Sequence, residues 1–201
     1  MIKGNVDGIK DFILKELDSI YDITVTKNRV IEPEIIALIA SISSRINREI
    51  NVAIDRRGNI VEISIGDSSS VQLPLLNVQE KRLSGIRVIH THPNGNPNLS
   101  SIDISALTKL KLDCIAAIGV IEEKITGVVM GFCNVDGDEL SHEVTEIMNI
   151  PEFIDYDFLY RIEEIESILK KRNIVENDDE YAILVGIDND ESLDELAELA
   201  R

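Results

Sequence analysis

The spacing of apolar residues changes several times along this chain, and each change marks an element. From Val6 to about Tyr21, the residues Ile9, Phe12, Ile13, Leu17 and Ile20 return at steps of three and four, the face of an amphipathic helix. Pro33 suits the first turn of a second helix, which runs to about Ile46 on a stripe of Ile35, Leu38, Ile39, Ile42 and Ile46. The period then falls to two. Ile50, Val52 and Ile54 alternate with polar residues, Asp55-Arg56-Arg57-Gly58-Asn59 supplies turn chemistry, and Ile60 to Ile65 resumes the strand pattern, which predicts a hairpin. Gly85 opens an apolar strand, Ile86 to His90, followed by a loop with Pro93, Gly95 and Pro97; Ile102, Leu107 and Leu110 then keep helical spacing. Two more apolar runs, Cys114 to Ile121 and Ile125 to Cys133, close what reads as a sheet with helices on it. Residues 135–154 carry little pattern. Phe158, Ile162, Ile165 and Leu169 give a further helical stripe, ended by Lys170, Lys171 and Arg172, cations that suit a helix C-terminus. Tyr181 to Ile187 reads as a strand, and Ser192-Leu193-Asp194-Glu195 as a capping box opening a last helix.

These elements predict an α/β fold. An N-terminal helix (1–24) precedes a mixed sheet flanked by helices (25–135), an acidic connector with an amphipathic helix (136–179), and a strand and helix (180–201). A strand and helix alone cannot bury both faces, so the last segment reads as the clipped start of a second α/β domain.

Charge sharpens that division. The chain of 201 residues carries 37 acids and 20 bases, a net −17; residues 1–134 hold 16 acids and 15 bases, and 135–201 hold 21 and 5. The acidic excess belongs to the tail. Such a balance disfavours a general polyanion binder, so neither DNA nor a membrane surface is an expected partner. Arg56, Arg57, Lys81, Arg82 and Arg87 would suit RNA only if gathered into a patch, and scattered charges ordinarily make a solvated surface. The N-terminus lacks the apolar run of a signal peptide, and no stretch approaches the roughly 18 apolar residues of a membrane span, so a cytoplasmic protein is expected. Cys114 and Cys133 lie in apolar runs without metal or redox spacing and read as reduced core residues.

One stretch carries chemistry: His90-Thr91-His92-Pro93-Asn94-Gly95-Asn96-Pro97-Asn98-Leu99-Ser100-Ser101-Ile102-Asp103. Residues two apart on a strand project to one face, so His90 and His92 can present two imidazoles side by side. Asp103 falls in the first turn of the next helix, which the loop can fold back over the strand end. Two nitrogens and a carboxylate oxygen with a fourth position open form the ligand set of a catalytic zinc site. The plainer alternative is that Ser100 and Asp103 cap the helix and the histidines bond within a turn. His142, in an acidic stretch, reads as a surface residue.

The run His-x-His-Pro, six residues, then Ser-x-x-Asp resembles the JAMM (MPN-plus) metalloprotease motif, and the Pro-x-Gly-x-Pro loop resembles the related RadC proteins. The resemblance implies that His90, His92 and Asp103 hold Zn²⁺ and that the Ser100 hydroxyl helps hold a polarised carbonyl or its oxyanion. It also implies a glutamate between the first helix of that domain and the next strand as the general base. Glu49 occupies that place, ahead of Glu62; taken alone, a glutamate following a helix C-terminus reads as a solvent-exposed acid.

A second resemblance covers more of the chain. Gly4-Asn5, Ile46-Asn47-Arg48-Glu49-Ile50, Ile54-Asp55-Arg56-Arg57-Gly58-Asn59, Leu83-Ser84-Gly85-Ile86-Arg87 and Leu112-Asp113, followed by Ala116-Ala117-Ile118-Gly119-Val120, are similar to the extended N-terminal region of clostridial-type HflX GTPases. The ending, Glu191-Ser192-Leu193-Asp194-Glu195-Leu196-Ala197-Glu198-Leu199-Ala200-Arg201, resembles the first helix of the HflX-specific domain. This implies a longer parent that binds GTP and Mg²⁺ and associates with the large ribosomal subunit. The chain itself contains no Gly-x-x-x-x-Gly-Lys-Ser/Thr loop to cradle phosphates, so no nucleotide site is assigned to it and its role would be regulatory or adaptor-like. Two other readings stay open: a zinc-dependent peptide or isopeptide hydrolase, and a metal-free module whose loop binds a protein or peptide partner.

Overall fold

The computed structural model describes residues 1–66, 82–136 and 139–176; the strand and capping box expected within 180–201 lie outside them, as does Lys81. Local chemistry sets the helices. Helix α1 (Asp11–Asp18) runs into a 3-10 turn at Ser19–Asp22 and buries Ile13, Leu17 and Ile20. It is shorter than the periodicity predicts, and Phe12 is 54% exposed, with the Arg45 guanidinium over its ring. Helix α2 (Pro33–Ile46) starts on Pro33 and stops where Asn47 turns left-handed at φ 50°. Its buried face is wider than the expected stripe, because Ile36, Ala40 and Ser43 are also buried.

Strands β1 (Lys3–Gly4), β2 (Glu49–Asp55), β3 (Ile60–Gly66), β4 (Ile86–His92), β5 (Cys114–Ile121), β6 (Lys124–Asp136) and β7 (Glu139–Val144) form one mixed sheet in the order β1-β3-β2-β4-β5-β6-β7. The expected hairpin is β2–β3, antiparallel, with Asp55 accepting from the backbone of Arg57 and Asn59 to shape its turn. β1 and β3 run parallel, as do β4 and β5, which are joined through helix α3 (Ser101–Lys109), and the pairs of β2 with β4, β5 with β6 and β6 with β7 are antiparallel.

Stretch 135–154, patternless in sequence, supplies the edge strand β7 and a short helix α4 (Ile150–Ile154). An edge strand is solvated on one face and held by ladder bonds, so it leaves little apolar signature. Helix α5 (Phe158–Glu176) buries Phe158, Ile162, Ile165 and Leu169 against the core, so the expected connecting helix is a packed element of this sheet's own layer.

Alternation sorts the faces. Thr91 meets Ser43 of α2, and Arg87, of the same parity on β4, lies 5.4 Å under the Phe158 ring of α5. Helices α2 and α5 therefore cover one face. His90 and His92 point to the other, which α3 covers through Asp103 and through Leu107, packed close over Gly131 of β6. Cys114 and Cys133 are buried and unpaired, as expected, and burial pushes the Cys133 thiol up to about 12.

Candidate metal centre

Each donor is placed by a separate local device. His90 and His92 end β4, 0% and 8% exposed. The loop after them folds back because Gly95 takes φ 78°, and because Asn94 and Asn96 each accept from the backbone N–H two residues on. The loop rests on Gly119, directly beside His92 in the β4–β5 register; a Cβ there would come within 2.7 Å of the Gly95 oxygen and 2.9 Å of the Pro97 nitrogen. Thr126 Oγ1 donates to that same Gly95 oxygen at 2.7 Å.

Asp103 arrives by the capping box. Ser100 N donates to Asp103 Oδ2 at 2.7 Å, and Asp103 N donates to Ser100 Oγ at 3.2 Å. Capping and ligation are compatible, since Asp103 Oδ1 remains 3.5 Å from His90 Nε2 and Oδ2 is 3.9 Å from His92 Nε2. The two Nε2 atoms are 2.9 Å apart. In a tetrahedral zinc site with bonds of about 2.0–2.1 Å, ligand atoms stand about 3.3 Å apart. The His90–His92 and His90–Asp103 separations bracket that edge, and one donor atom from each residue lies within 4.8 Å of the others, so the buried His90, His92 and Asp103 group can hold a metal ion.

Electrostatics favour the same conclusion. Burial alone would raise the Asp103 pKa, but His90 beside it and the bonds from Ser100 outweigh burial and hold it down to about 2, so the carboxylate is ionised. Burial, reinforced by the neighbouring His90, lowers His92, so its ring is neutral. His92 Nδ1 lies 2.8 Å from the Asn96 carbonyl, which only accepts; the ring proton is therefore on Nδ1, and the Nε2 lone pair faces the centre. The ionised Asp103 carboxylate and the His92 Nε2 lone pair thus converge on one point, suited to a divalent cation.

Glu49 opens β2. The β2–β4 register pairs Asn51 with His90, and by alternation Glu49 falls beside His92 on the same sheet face. It is 7% exposed, so the picture of a solvated acid after a helix end does not describe it. Beyond Asn51 the β2–β4 ladder ends, and the Ile50 N–H is taken by the Thr91 hydroxyl at 3.0 Å. Thr91 Oγ1 in turn donates to Ser43 Oγ, which donates to the Arg48 carbonyl, both at 2.7 Å. This chain ties the end of α2, and with it the approach to Glu49, to the strand carrying both histidines. Glu62, the other candidate base, is 6% exposed and receives the Lys3 ammonium. His142 is exposed on β7.

Two residues that support the centre, one on each face of the sheet, escape the motif. Asn51 and Thr91 carry no spacing signal; the available hint for Asn51 is an amide at an inward position of an apolar strand. Arg56 and Arg87 are engaged by partners within the fold. Arg56 grips Asp113 through two bonds, at 2.6 and 2.8 Å, and also bonds Glu166; Arg87 is 3% exposed and donates to the Val30 and Asp55 carbonyls. Among the described residues no helix is long and apolar enough to cross a membrane. No family model, no curated protein and no solved structure matches the chain.

Proposed function

We propose that this chain is a JAMM-like zinc-binding domain, with His90, His92 and Asp103 as ligands, serving as the accessory region of a longer GTP-binding, ribosome-associated protein of HflX type. The observation that carries the metal reading is the convergence of the three buried donors, with the His92 tautomer set by Asn96 and the Asp103 rotamer set by Ser100. The reading of the parent rests on the sequence resemblance, above all at the ending. Elemental analysis of the purified chain tests the metal: the expected result is one zinc per chain, lost in His92→Ala. Protein without stoichiometric zinc, or metal unaffected by that substitution, overturns it.

A second reading is favoured by Glu49. A buried carboxylate beside His92, where the ladder to β4 has ended, is where a general base for amide hydrolysis belongs. Zinc, when bound, supplies the Lewis acidity that polarises a carbonyl and makes water a nucleophile near neutral pH. Glu49 would take the proton of the attacking water and pass it to the leaving amine. Ser100 is exposed, its oxygen accepting from Asp103 N, and its hydroxyl would turn from the Asp103 carboxylate to a carbonyl oxygen when one is bound. Peptide or isopeptide hydrolysis abolished in Glu49→Gln with zinc retained supports this reading. Hydrolysis unchanged in that variant excludes it.

A further inference from the structure

Two buried polar atoms near the centre lack hydrogen-bond partners: Asn51 Oδ1 and His90 Nδ1. They belong to directly opposed residues of β2 and β4, 4% and 0% exposed, whose side chains share one face of the sheet. Their chemistries are complementary, since an amide oxygen accepts and a protonated ring nitrogen donates. Neither finds another partner among the described residues. A buried polar atom left unpaired costs about 1–3 kcal/mol, so two on opposed residues call for an explanation.

The proton count of His90 supplies one. His92 carries its proton on Nδ1, bonded to Asn96, so its Nε2 is a bare lone pair 2.9 Å from His90 Nε2. Two lone pairs do not approach so closely. With no cation present, the 2.9 Å approach places a His90 proton on Nε2, shared toward His92 and Asp103. A cation among the three donors needs the Nε2 lone pair, which requires the ring proton on Nδ1 instead.

We propose that Asn51 is a positioning residue of the metal centre: its side-chain carbonyl accepts the Nδ1 proton of His90 in the metal-loaded state and fixes the tautomer that presents Nε2 to the ion. The proposal rests on the metal reading above. It gives the two histidines equivalent support from different sources. His92, at the strand end, is oriented by a carbonyl of its own loop; His90, one alternation deeper in the ladder, takes its acceptor from the side chain across the strand pair. Such acceptors behind ligating histidines typically contribute 10–100-fold in metal affinity.

The test compares wild type, Asn51→Leu and Asn51→Asp, each stripped of metal and titrated with Zn²⁺ in competition with a chromophoric chelator. Long-range proton–nitrogen NMR of the imidazoles reads the tautomer in parallel. Zinc is expected to move the His90 proton from Nε2 to Nδ1 in wild type. Asn51→Leu is expected to weaken zinc binding about 10–100-fold, and Asn51→Asp, which restores an acceptor, to bind within a few-fold of wild type or tighter. Wild type that binds zinc with affinity matched by Asn51→Leu, or with the His90 proton still on Nε2, overturns the role of Asn51 and leaves the metal reading standing. Wild type that binds no zinc overturns both. Should Asn51→Leu fail to fold, the wild-type tautomer and the affinity of Asn51→Asp decide.

Discussion

Thr91 lies between the two histidines and faces the opposite side of the sheet, where it is fully buried. Replacing it with valine keeps its shape and removes its hydroxyl, so the cost isolates the polar chain from Ile50 to Arg48. The Ile50 N–H loses its acceptor, a buried orphan worth about 1–3 kcal/mol, and the Ser43 oxygen loses a donor worth about 0.5–1.5 kcal/mol. The added methyl returns up to about 0.8 kcal/mol of apolar burial. A net destabilisation of about 1–3 kcal/mol follows, or a drop of roughly 3–10 °C in Tm for a chain of this size. Urea unfolding in the presence of chelator reads it as a lower midpoint at unchanged slope. Residue-specific hydrogen exchange adds the local signature: the Ile50 amide should lose protection in Thr91→Val and keep it in Thr91→Ser, which retains the hydroxyl. A Thr91→Val protein within about 0.5 kcal/mol of wild type, with Ile50 still protected, refutes the claim that this hydroxyl closes the end of the ladder.

Two further outcomes are expected. Gly119→Ala places a methyl 2.3 Å from Thr126 Oγ1 and under the backbone of Gly95 and Pro97, so the loop must lift. A loss of about 1–3 kcal/mol in thermal unfolding, together with weaker zinc binding because Asn96 no longer holds His92, is expected; unchanged values in both assays contradict the packing described. Burial would raise the Glu32 pKa, but the Thr26 hydroxyl and amide and the Arg29 guanidinium outweigh it, and the net shift is downward. Its contribution is thus fully present above the unfolded value of about 4.3 and lost as pH falls through the lower folded value. The stability gap between wild type and Glu32→Gln should therefore narrow on acidification through that range, and a gap constant with pH across it contradicts the assignment.

How much of this was legible beforehand follows from where the signals come from. Strands β2 to β6 and helix α2 declare themselves because each buries a periodic apolar face, and Ile50, Val52 and Ile54 are all fully buried. Strand β7 and helix α4 do not. Glu139–Val144 joins the sheet through backbone bonds to β6, and Ile150–Ile154 is held by the Asn149–Glu152 capping box and Phe153, too short to show a period. The cluster of His90, His92 and Asp103 was legible because strand alternation and a helix N-terminus fix their directions from local spacing. Glu49 was legible only through its place between helix and strand. Asn51 and Thr91 depend on register between strands distant in sequence, which no local pattern encodes.

Asp103 shows why the capping and ligating readings of one motif are not rivals. The capping box turns the carboxylate of the third helical position back toward the capping residue, and that turn aims the same carboxylate away from the helix and over the neighbouring strand end. The bond from Ser100 N engages Oδ2 and fixes the rotamer; Oδ1 is then delivered to within 3.5 Å of His90 Nε2. Ionisation follows from the same contacts, because the backbone N–H at the helix start and the adjacent imidazole both favour the charged form over burial. A capping box elsewhere in this chain, Asn149 with Glu152, has the same internal bonds but ends on an exposed face. What distinguishes the one at Ser100 is its position: the loop lies down on Gly119, which brings the cap to the two histidines. The chemistry of the centre thus depends on a bare backbone at residue 119 as much as on the ligands, and metal binding and the packing of the loop should fail together.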